Sequence, residues 1–349
     1  MTAGDRRDHG NRRVAVLAVD GGNSKADVAL LAADGTLLGA VRVPTISHQA
    51  VPAADAAARL RAAIDAAAVD TGSAVPEAAA VVACLAGADY PEDVRFLRSM
   101  FAATTGVADP LILNDTFAAL RAGSSRPWGI ALICGQGING AAVAVNGRRV
   151  RFAGVGDIAG DWGGGRAIGM AGLAAAVRGR DGRGPRTDLE RTIPAAVGLK
   201  RPDAVTHAYY SERLDERRIG DLAPTVFATA GAGDPVARAI VDRLADELVG
   251  MAAALARRTS LVRRDPEVVL AGGVFKTDDA GFHERVLAGV HHAIPAARVV
   301  RLGSPPVLGA ALLGLDRLTA GGAAAPDVAG RARAGLDAWS ATATVAMPS

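Results

Sequence analysis

The chain carries one long local pattern twice, and this repeat limits its possible folds more than any other feature. Residues 14–43 contain an apolar strand, a glycine-rich turn, a second strand, an Asp-Gly pair and a third strand. The same order returns over residues 130–152, with Asn-Gly in place of Asp-Gly. Such pairs favour a tight hairpin because both central residues can take positive φ. Two copies of a strand meander predict two similar halves, each opened by a glycine turn.

The segments around the repeats predict an α/β protein of two domains, which a length of 349 residues also favours. We expect strands at 14–19, 27–31, 37–43, 79–85, 111–113, 130–134, 141–145, 149–152, 267–270 and 299–302. We expect helices at 53–69, 91–104, 116–121, 166–178, 187–196, 202–212, 234–258 and 306–318. The predicted organisation is a disordered arm (1–13), an N-terminal domain (14–118), a C-terminal domain (119–318) whose last helix can pack back on the first domain, and a loosely ordered tail (319–349).

The composition argues against a nucleic-acid partner and a membrane span. The 39 Lys and Arg residues exceed the 36 Asp and Glu residues by only three, and no basic run with interleaved aromatic residues occurs. No stretch of about 18 apolar residues runs without charges or glycine turns. Cys84 and Cys134 lie in apolar strand-like runs without metal-ligand spacing. Buried thiols of this kind are typical of the reducing cytoplasm.

The first candidate site is the turn after the first strand. Asp20 ends that strand, and a carboxylate there can hold Mg²⁺, usually through water. Glycines let a ligand approach closely, and successive N–H groups in such a turn can bind a phosphate. The turn consists of Gly21, Gly22, Asn23 and Ser24, followed by Lys25. A plain hairpin explains the same residues, but the similar turn over 135–140 favours phosphate binding.

Asp115 is the second candidate. It follows the short strand 111–113, so it should lie at the carboxyl end of a sheet, where α/β folds bind ligands. A carboxylate there can accept the proton of a substrate hydroxyl that attacks a γ-phosphate. Asn-Asp-Thr is also a good helix cap, and the sequence alone favours that role for Asp115.

Three weaker candidates lie in loops. Asp161, within the segment GDWGGG, can bind sugar hydroxyls or simply form a turn. The pair Gly272–Gly273 follows a buried strand and can let a flat base lie against the backbone, although a bulge or a helix cap explains it equally well. His48, in the loop after the third strand, is the histidine for which we expect a substrate contact.

Five segments in a fixed order resemble the BadF/BadG/BcrA/BcrD-type ATPase family, most of all its N-acetylglucosamine kinase branch. They are AVDGGNSKA, LNDTFAAL, ICGQGINGAAV, GVGDIAGDWGGG and LAGGVFKT, and the resemblance extends over residues 14–318. This family is part of the acetate and sugar kinase, heat-shock chaperone and actin superfamily. The resemblance implies two ribonuclease H-like domains with mixed sheets flanked by helices, and ATP and Mg²⁺ in the cleft between them.

The resemblance also implies a role for each matching residue. Asp20 would organise Mg²⁺, Asp115 would be the catalytic base, and Asp161 would bind a sugar hydroxyl. The implied ATP contacts are Asp20, Gly21, Gly22, Asn23, Ser24, Lys25, Gly135, Gln136, Gly137, Ile138, Asn139, Gly272, Gly273 and Phe275. The implied sugar contacts are Ser47, His48, Gly87, Asn114, Asp115, Gly160 and Asp161. A homodimer is expected as well.

The sequence departs from such kinases at three places. Residues 135–138 read Gly-Gln-Gly-Ile where Gly-Thr-Gly-Ser is typical, so the hydroxyls of the second turn are absent. The segment 86–88 also lacks a hydroxyl, and Ser47 stands where relatives have a sugar-binding asparagine. We therefore predict an ATP-dependent kinase for N-acetylglucosamine, glucosamine or a related hexose. The alternatives are an ATPase that activates a partner enzyme through an iron–sulfur cluster, and a non-catalytic sugar or nucleotide sensor.

Overall fold

The structure, a computed structural model, describes residues 13–69, 78–319 and 322–345. These residues divide into two compact units. Unit 1 combines the residues up to Pro127 with those from Leu302 onwards, and unit 2 extends from Trp128 to Arg301. The predicted N-terminal arm over 1–13 lies almost wholly outside the described residues.

The described residues form ten strands and twelve α-helices. The strands are β1 Val16–Gly21, β2 Lys25–Leu31, β3 Leu37–Pro44, β4 Ala80–Leu85, β5 Leu111–Asn114, β6 Gly129–Cys134, β7 Ile138–Val143, β8 Arg149–Arg151, β9 Glu267–Ala271 and β10 Arg298–Arg301. The helices are α1 Ala53–Ala68, α2 Pro91–Thr105, α3 Thr116–Gly123, α4 Gly164–Asp181, α5 Leu189–Ala196, α6 Pro202–Tyr210, α7 Glu216–Gly220, α8 Ala223–Gly231, α9 Pro235–Thr259, α10 Ala280–Ala293, α11 Val307–Arg317 and α12 Pro326–Thr342. None of these helices is both long and apolar enough to cross a membrane.

The two units have the same sheet plan. The strand order is β3-β2-β1-β4-β5 in unit 1 and β8-β7-β6-β9-β10 in unit 2. In each unit the first three strands along the chain form an antiparallel meander. The remaining two strands of each sheet are parallel to the first. The predicted fold class, two α/β domains with mixed sheets and flanking helices, is therefore confirmed.

Helices cover both faces of the unit 1 sheet, which explains why its central strands are apolar throughout. On one face, Leu17 of β1 shares a core cluster with Leu60 of α1 and Phe101 of α2. On the other face, Val16 shares a cluster with Leu308 of α11. Strand β4 is buried along its whole length. Because both faces are packed, the positions of the strand ends are well fixed.

The predicted domain boundary after residue 118 falls inside α3, and the chain leaves unit 1 after Pro127 instead. Helix α3 is held to unit 1 by α11. The buried guanidinium of Arg121 on α3 pairs with Asp316 on α11, with Nε and Oδ2 at 2.8 Å. A buried pair of this kind ties residues that are far apart in sequence, so a boundary drawn from local pattern does not find it.

Much of the predicted loose tail forms helix α12 instead. Its inner face buries Ala332 and Leu336, and the Arg42 guanidinium of β3 lies 5.3 Å from the ring centre of Trp339. Few large apolar residues mark this helix, so its periodicity is weak in the sequence. The sequence pattern does not predict α7, α8 or α10 either. Helix α7 has only five residues, and α8 consists mainly of small ones.

The second glycine turn is shorter than the predicted segment 135–140. Strand β7 begins at Ile138, which pairs with Cys134 of β6 and packs into the core of unit 2. A β-branched residue favours the strand conformation, so the ladder continues to this point. The turn itself is limited to residues 135–137.

Candidate functional site

In unit 1, the predicted site segments come together at one edge of the sheet. Strands β1, β4 and β5 are parallel, and their registers align Gly21, Leu85 and Asn114. Asp20 and Asp115 therefore lie at the same edge. The carboxyl ends of parallel strands are where open α/β sheets bind their ligands.

Asp20 lies among other charges. In the β1–β2 ladder it is directly opposite Asp27, which is buried. Burial raises the pKa of the Asp20 carboxyl well above its ordinary value, and the negative charge of Asp115 raises this pKa further. Asp27 acts in the same direction, whereas Lys25 and Arg42 lower the pKa. A cation bound at this edge would relieve the repulsion between the carboxylates.

The groups at this edge fit a magnesium ion that is held partly by a substrate. Mg²⁺ in ATP-using sites is bound through one or two carboxylates, several waters and phosphate oxygens. Asp20, with the neighbouring charge of Asp115, offers that kind of donor set. Among the residues that the structure describes, no group of three or more His, Cys, Asp or Glu side chains could hold a metal ion.

The first glycine turn is a closed hairpin with an exposed tip. The Gly22 N–H donates to the Lys25 carbonyl oxygen at 2.9 Å. Asn23, Ser24 and Lys25 are exposed, and the Lys25 ammonium lies 3.8 Å from Oδ2 of Asp27. The hairpin interpretation is thus correct as geometry, and the exposed tip leaves these residues accessible to a phosphate.

Asn114, and not Asp115, supplies the side-chain cap of α3. Its Oδ1 atom accepts the N–H of Thr116 at 3.2 Å and the Thr116 hydroxyl at 2.7 Å. The Asp115 side chain makes no capping hydrogen bond to this helix. The role that the sequence favours for Asp115 therefore belongs to its neighbour. Asn114 is buried, and its sugar contact stays a prediction.

The loop after β3 lies against the first glycine turn. The Thr45 hydroxyl donates to the Gly22 carbonyl oxygen at 2.8 Å. Ser47 is buried, and its Oγ atom accepts the N–H of Gln49 at 3.3 Å. His48 is half-buried. Of the two sugar contacts predicted in this loop, His48 is the more accessible.

The loop after β4 meets the same segment through Gln49. Gly87 has φ +83° and packs under the Gln49 side chain, where an added Cβ would lie 2.8 Å from the amide carbon. The positive φ favours glycine at position 87, because other residues rarely adopt this conformation. The Gln49 amide nitrogen is 3.4 Å from Oδ2 of Asp89, and the Asn114 amide N–H donates to Oδ1 of Asp89 at 3.1 Å. Gln49 and Asp89, which no sequence motif singles out, thus join the loops after β3, β4 and β5.

In unit 2, the second glycine turn is attached to the start of α4. The carbonyl oxygens of Gly135 and Gln136 accept the N–H groups of Gly165 and Arg166, at 2.8 and 3.0 Å. Gln136 and Gly137 are exposed. The N–H groups of Gly165 and Arg166 are satisfied by the turn, so what α4 offers an anion there is the positive end of its dipole.

A cavity of about 810 Å³ lies within unit 2, beside this turn. Ala223, Pro224 and Phe227 of α8 form an apolar part of its wall. Pockets of this volume, with apolar walls and a few polar groups, are typical of small-molecule and cofactor sites. Of the predicted ATP contacts, Gly135, Gln136 and Gly273 line the cavity.

Two predicted ATP contacts point into the core instead. Phe275 is buried, with its ring centre 6.1 Å from that of Phe282, and it does not line the cavity. Its neighbours Val274 and Lys276 do line it. The side chain of Ile138 is buried in the core of unit 2.

Gly272 and Asn139 have packing roles. The backbone of Gly272 lies against the end of β6, where an added Cβ would collide with the Cys134 carbonyl group. The Asn139 side chain lies against Gly154, in the loop that leads to Asp161. These contacts hold the neighbouring segments together.

The part of the cavity wall formed by α7 and α8 is not apparent from the sequence. Gly220, at the end of α7, lies beside the Gln136 side chain, and an added Cβ would collide with its Oε1 atom. Pro224 in the first turn of α8 is the available signal for that helix. The sequence does not indicate that the end of α7 contacts the turn at 135–137, because these two segments are far apart along the chain.

Asp161 is held by its own loop. Burial raises the pKa of its carboxyl, although the N–H groups of Val155, Gly154 and Gly156 donate to the carboxylate and oppose this shift. Its Oδ2 atom is buried and has no hydrogen-bond partner in the described part of the chain. Gly160, the other predicted sugar contact here, ends the preceding 3₁₀ turn. A hydroxyl donor would satisfy the unpaired oxygen, which fits the predicted role of Asp161.

Two units on one sheet plan, with glycine turns at corresponding strand ends, define the class of actin-like ATPases. The model of the BadF/BadG/BcrA/BcrD ATPase family matches residues 17–314, and the chain belongs to this family.

The chain is similar to two proteins in sequence and to a solved structure in fold. The N-acetylmuramic acid/N-acetylglucosamine kinase of Clostridium acetobutylicum is 27% identical over 243 residues, which are 69% of this chain and 79% of the relative. The N-acetyl-D-glucosamine kinase of Dictyostelium discoideum is 26% identical over 238 residues, 66% of this chain and 74% of the relative. A solved structure from Chromobacterium violaceum, provisionally described as an N-acetylglucosamine kinase, has a TM-score of 0.66 at 22% identity. It covers 86% of this chain and 98% of its own, and it shares the fold.

Proposed function

We propose that the protein is an ATP-dependent kinase that phosphorylates a hydroxyl of N-acetylglucosamine, glucosamine or a related hexose. Both curated relatives carry N-acetylglucosamine kinase in their names, and the family is one of ATPases. Phosphoryl transfer needs a group that orients the acceptor hydroxyl and donors that stabilise the charge spreading over the phosphates. The chain offers candidates for each of these tasks.

The proposal depends most on the position of Asp115 at the strand edge. Because Asn114 caps α3, the Asp115 side chain is not needed for that purpose. It lies half-buried at the strand edge, near Asp20. There it can accept the proton of a sugar hydroxyl while the sugar oxygen attacks the γ-phosphorus.

We assign ATP to the cavity of unit 2. The apolar wall suits the adenosine moiety, and the exposed turn at 135–137, near the positive end of the α4 dipole, suits the phosphates. Asp20 would hold Mg²⁺, which when bound neutralises phosphate charge. The exposed tip of the first turn, with Lys25, would stabilise charge on the transferring group.

Asp161 and His48 are the groups proposed to orient the sugar. The unpaired Oδ2 atom of Asp161 supports a hydroxyl contact there. The partial exposure of His48 supports a contact from the loop after β3. The magnesium requirement, the homodimer and the cytoplasmic location remain predictions.

A panel of sugars with MgATP tests the proposal. N-acetylglucosamine or a related hexose should stimulate ADP release, and mass spectrometry should detect the phosphorylated sugar. Asp115→Asn keeps the size of the side chain and removes its basicity, so turnover should fall about 10²- to 10⁴-fold. Asp109→Asn is the matched control, because the Asp109 side chain is 73% exposed on unit 1.

Two results would contradict the proposal. ATP hydrolysis that no sugar stimulates would favour an ATPase or a sensor. Unchanged turnover in Asp115→Asn would exclude Asp115 as the base. The iron–sulfur alternative has no support from the cysteines, since Cys84 and Cys134 are both buried within strands.

A further inference from the structure

We infer, on the basis of the proposed function, that Asp89 is a positioning residue for Asp115. It acts through Asn114, the residue directly before the proposed base. The structure joins the three residues at the carboxyl end of β5, although Asp89 lies in a different loop, after β4.

The Asn114 side chain makes different hydrogen bonds at its two ends. At the nitrogen end, an N–H of Nδ2 donates to Oδ1 of Asp89 at 3.1 Å. At the oxygen end, Oδ1 accepts from the N–H and the hydroxyl of Thr116. The cap of α3 therefore needs the amide oxygen to face the helix.

Asp89 and the Thr116 N–H both favour the amide orientation in which the oxygen faces the helix. An ionised carboxylate only accepts hydrogen bonds, so it can pair with the nitrogen end of Asn114 and not with the oxygen end. Asn114 is 4% exposed, and bulk water has little access to replace this contact. With Asp89 in place, one amide orientation satisfies both partners.

Asp115 depends on this orientation because it lies between Asn114 and Thr116. Its own backbone is already helical (φ −58°, ψ −24°), and its side chain makes no capping hydrogen bond to α3. An Asn114 amide turned the wrong way would leave the Thr116 N–H without its acceptor. The start of α3 would then be less firmly held, and so would the backbone of Asp115 that directs its carboxylate. Asp89 thus keeps Asp115 in position for proton transfer.

The test compares Asp89→Ala with Asp89→Asn. The alanine removes the acceptor for the Asn114 amide, so kcat should fall about 10- to 100-fold, the size expected for a misplaced catalytic group. The KM for ATP should stay unchanged, because the proposed ATP cavity is lined by unit 2. The asparagine keeps an oxygen that can accept the same N–H, so it should restore kcat to within about threefold of wild type. Asp109→Ala is the control for an exposed carboxylate of the same unit.

Hydrogen–deuterium exchange provides a readout that does not depend on activity. In Asp89→Ala, peptides that cover the start of α3 should exchange faster, while Asp89→Asn and Asp109→Ala should match wild type. Unchanged exchange and turnover within twofold in Asp89→Ala would overturn the inference. Equal losses in Asp89→Ala and Asp89→Asn would assign the effect to charge and would also overturn it. If no sugar is phosphorylated by wild type, the proposed function fails, and the exchange data still decide whether Asp89 maintains the cap.

Discussion

At the end of β1, unit 1 has Asp20 opposite Asp27, whereas at the end of β6, unit 2 has Cys134 opposite Ile138. In unit 1 the last pair but one of the β1–β2 ladder therefore joins two carboxylates, before the final pair Gly21–Ala26. In unit 2 the last pair of the β6–β7 ladder joins two apolar side chains. Under the proposed function, the acidic pair lies where the cation and the proton transfer are proposed, and the apolar pair lies beside the turn proposed for the phosphates. The comparison shows that one sheet plan carries different residues near its strand ends.

Of the changes that test this comparison, Asp20→Asn should have the largest effect, because it removes one of the two paired carboxylates of unit 1. Turnover should fall about 10²- to 10³-fold, as for other losses of a preorganised charge near the reacting group. The rate of ADP release, measured for Asp20→Asn and for the control Asp109→Asn, tests this expected fall in turnover. Near-normal turnover at all magnesium concentrations would mean that the acidic end of unit 1 is not needed for the reaction.

The same variant should be more stable than wild type when magnesium is removed with EDTA. Because the pKa of Asp20 is raised in the folded state, the folded protein holds this proton more tightly than the unfolded chain does. Stability is therefore lost as the pH rises from the ordinary pKa to the raised one, and asparagine avoids that loss. The gain in Tm should be larger near pH 8 than near pH 4. An equal gain in Tm at both pH values would show that the raised pKa of Asp20 is not the cause.

A smaller effect is expected from Gly220→Ala, which changes the cavity of unit 2. The new methyl group would take the space of the Gln136 amide oxygen and displace that side chain. The KM for ATP should rise about tenfold, which corresponds to one lost contact of about 1.4 kcal/mol. Gly250→Ala on α9 is the matched control, since no atom lies within 4 Å of its added Cβ. Equal KM values for ATP in the two variants would show that Gln136 does not contribute to ATP binding.

The smallest effect is expected from a water-soluble thiol reagent. Cys84 and Cys134 are both fully buried, and burial raises the pKa of the Cys134 thiol to about 12. Since the thiolate is the reactive form, neither residue should react in the native protein, and kinase activity should persist. Both should react after denaturation. Rapid native reaction of Cys134 alone would show that the end of β6 opens, unlike the strands of unit 1.

The sequence predicts the duplicated sheet well because hairpin pairs and apolar runs are local signals. It also indicates that Asp20 and Asp115 lie at strand ends, since parallel strands place their carboxyl ends together. The direction of a side chain in a short turn is harder to predict. Phe275 turns into the core, while its neighbours Val274 and Lys276 line the cavity.

Contacts between distant segments are the part that the sequence does not reveal. Asn114 makes the capping contact that the sequence favours for Asp115, and its amide also donates to Asp89, which lies in another loop. Any of these three polar side chains could have capped or bound a ligand. Only the hydrogen-bond geometry distinguishes their roles, and Gln136 beside Gly220 is a similar case.

Helix α12 has a consequence for self-association. Strand β3 lies at the edge of its sheet, and such a strand offers unpaired N–H and C=O groups to other chains. Arg42 of this strand donates to the Ala343 carbonyl oxygen at 3.3 Å, and Val345 forms a parallel bridge to Arg42. The segment after α12 thus occupies part of an edge that could otherwise template aggregation.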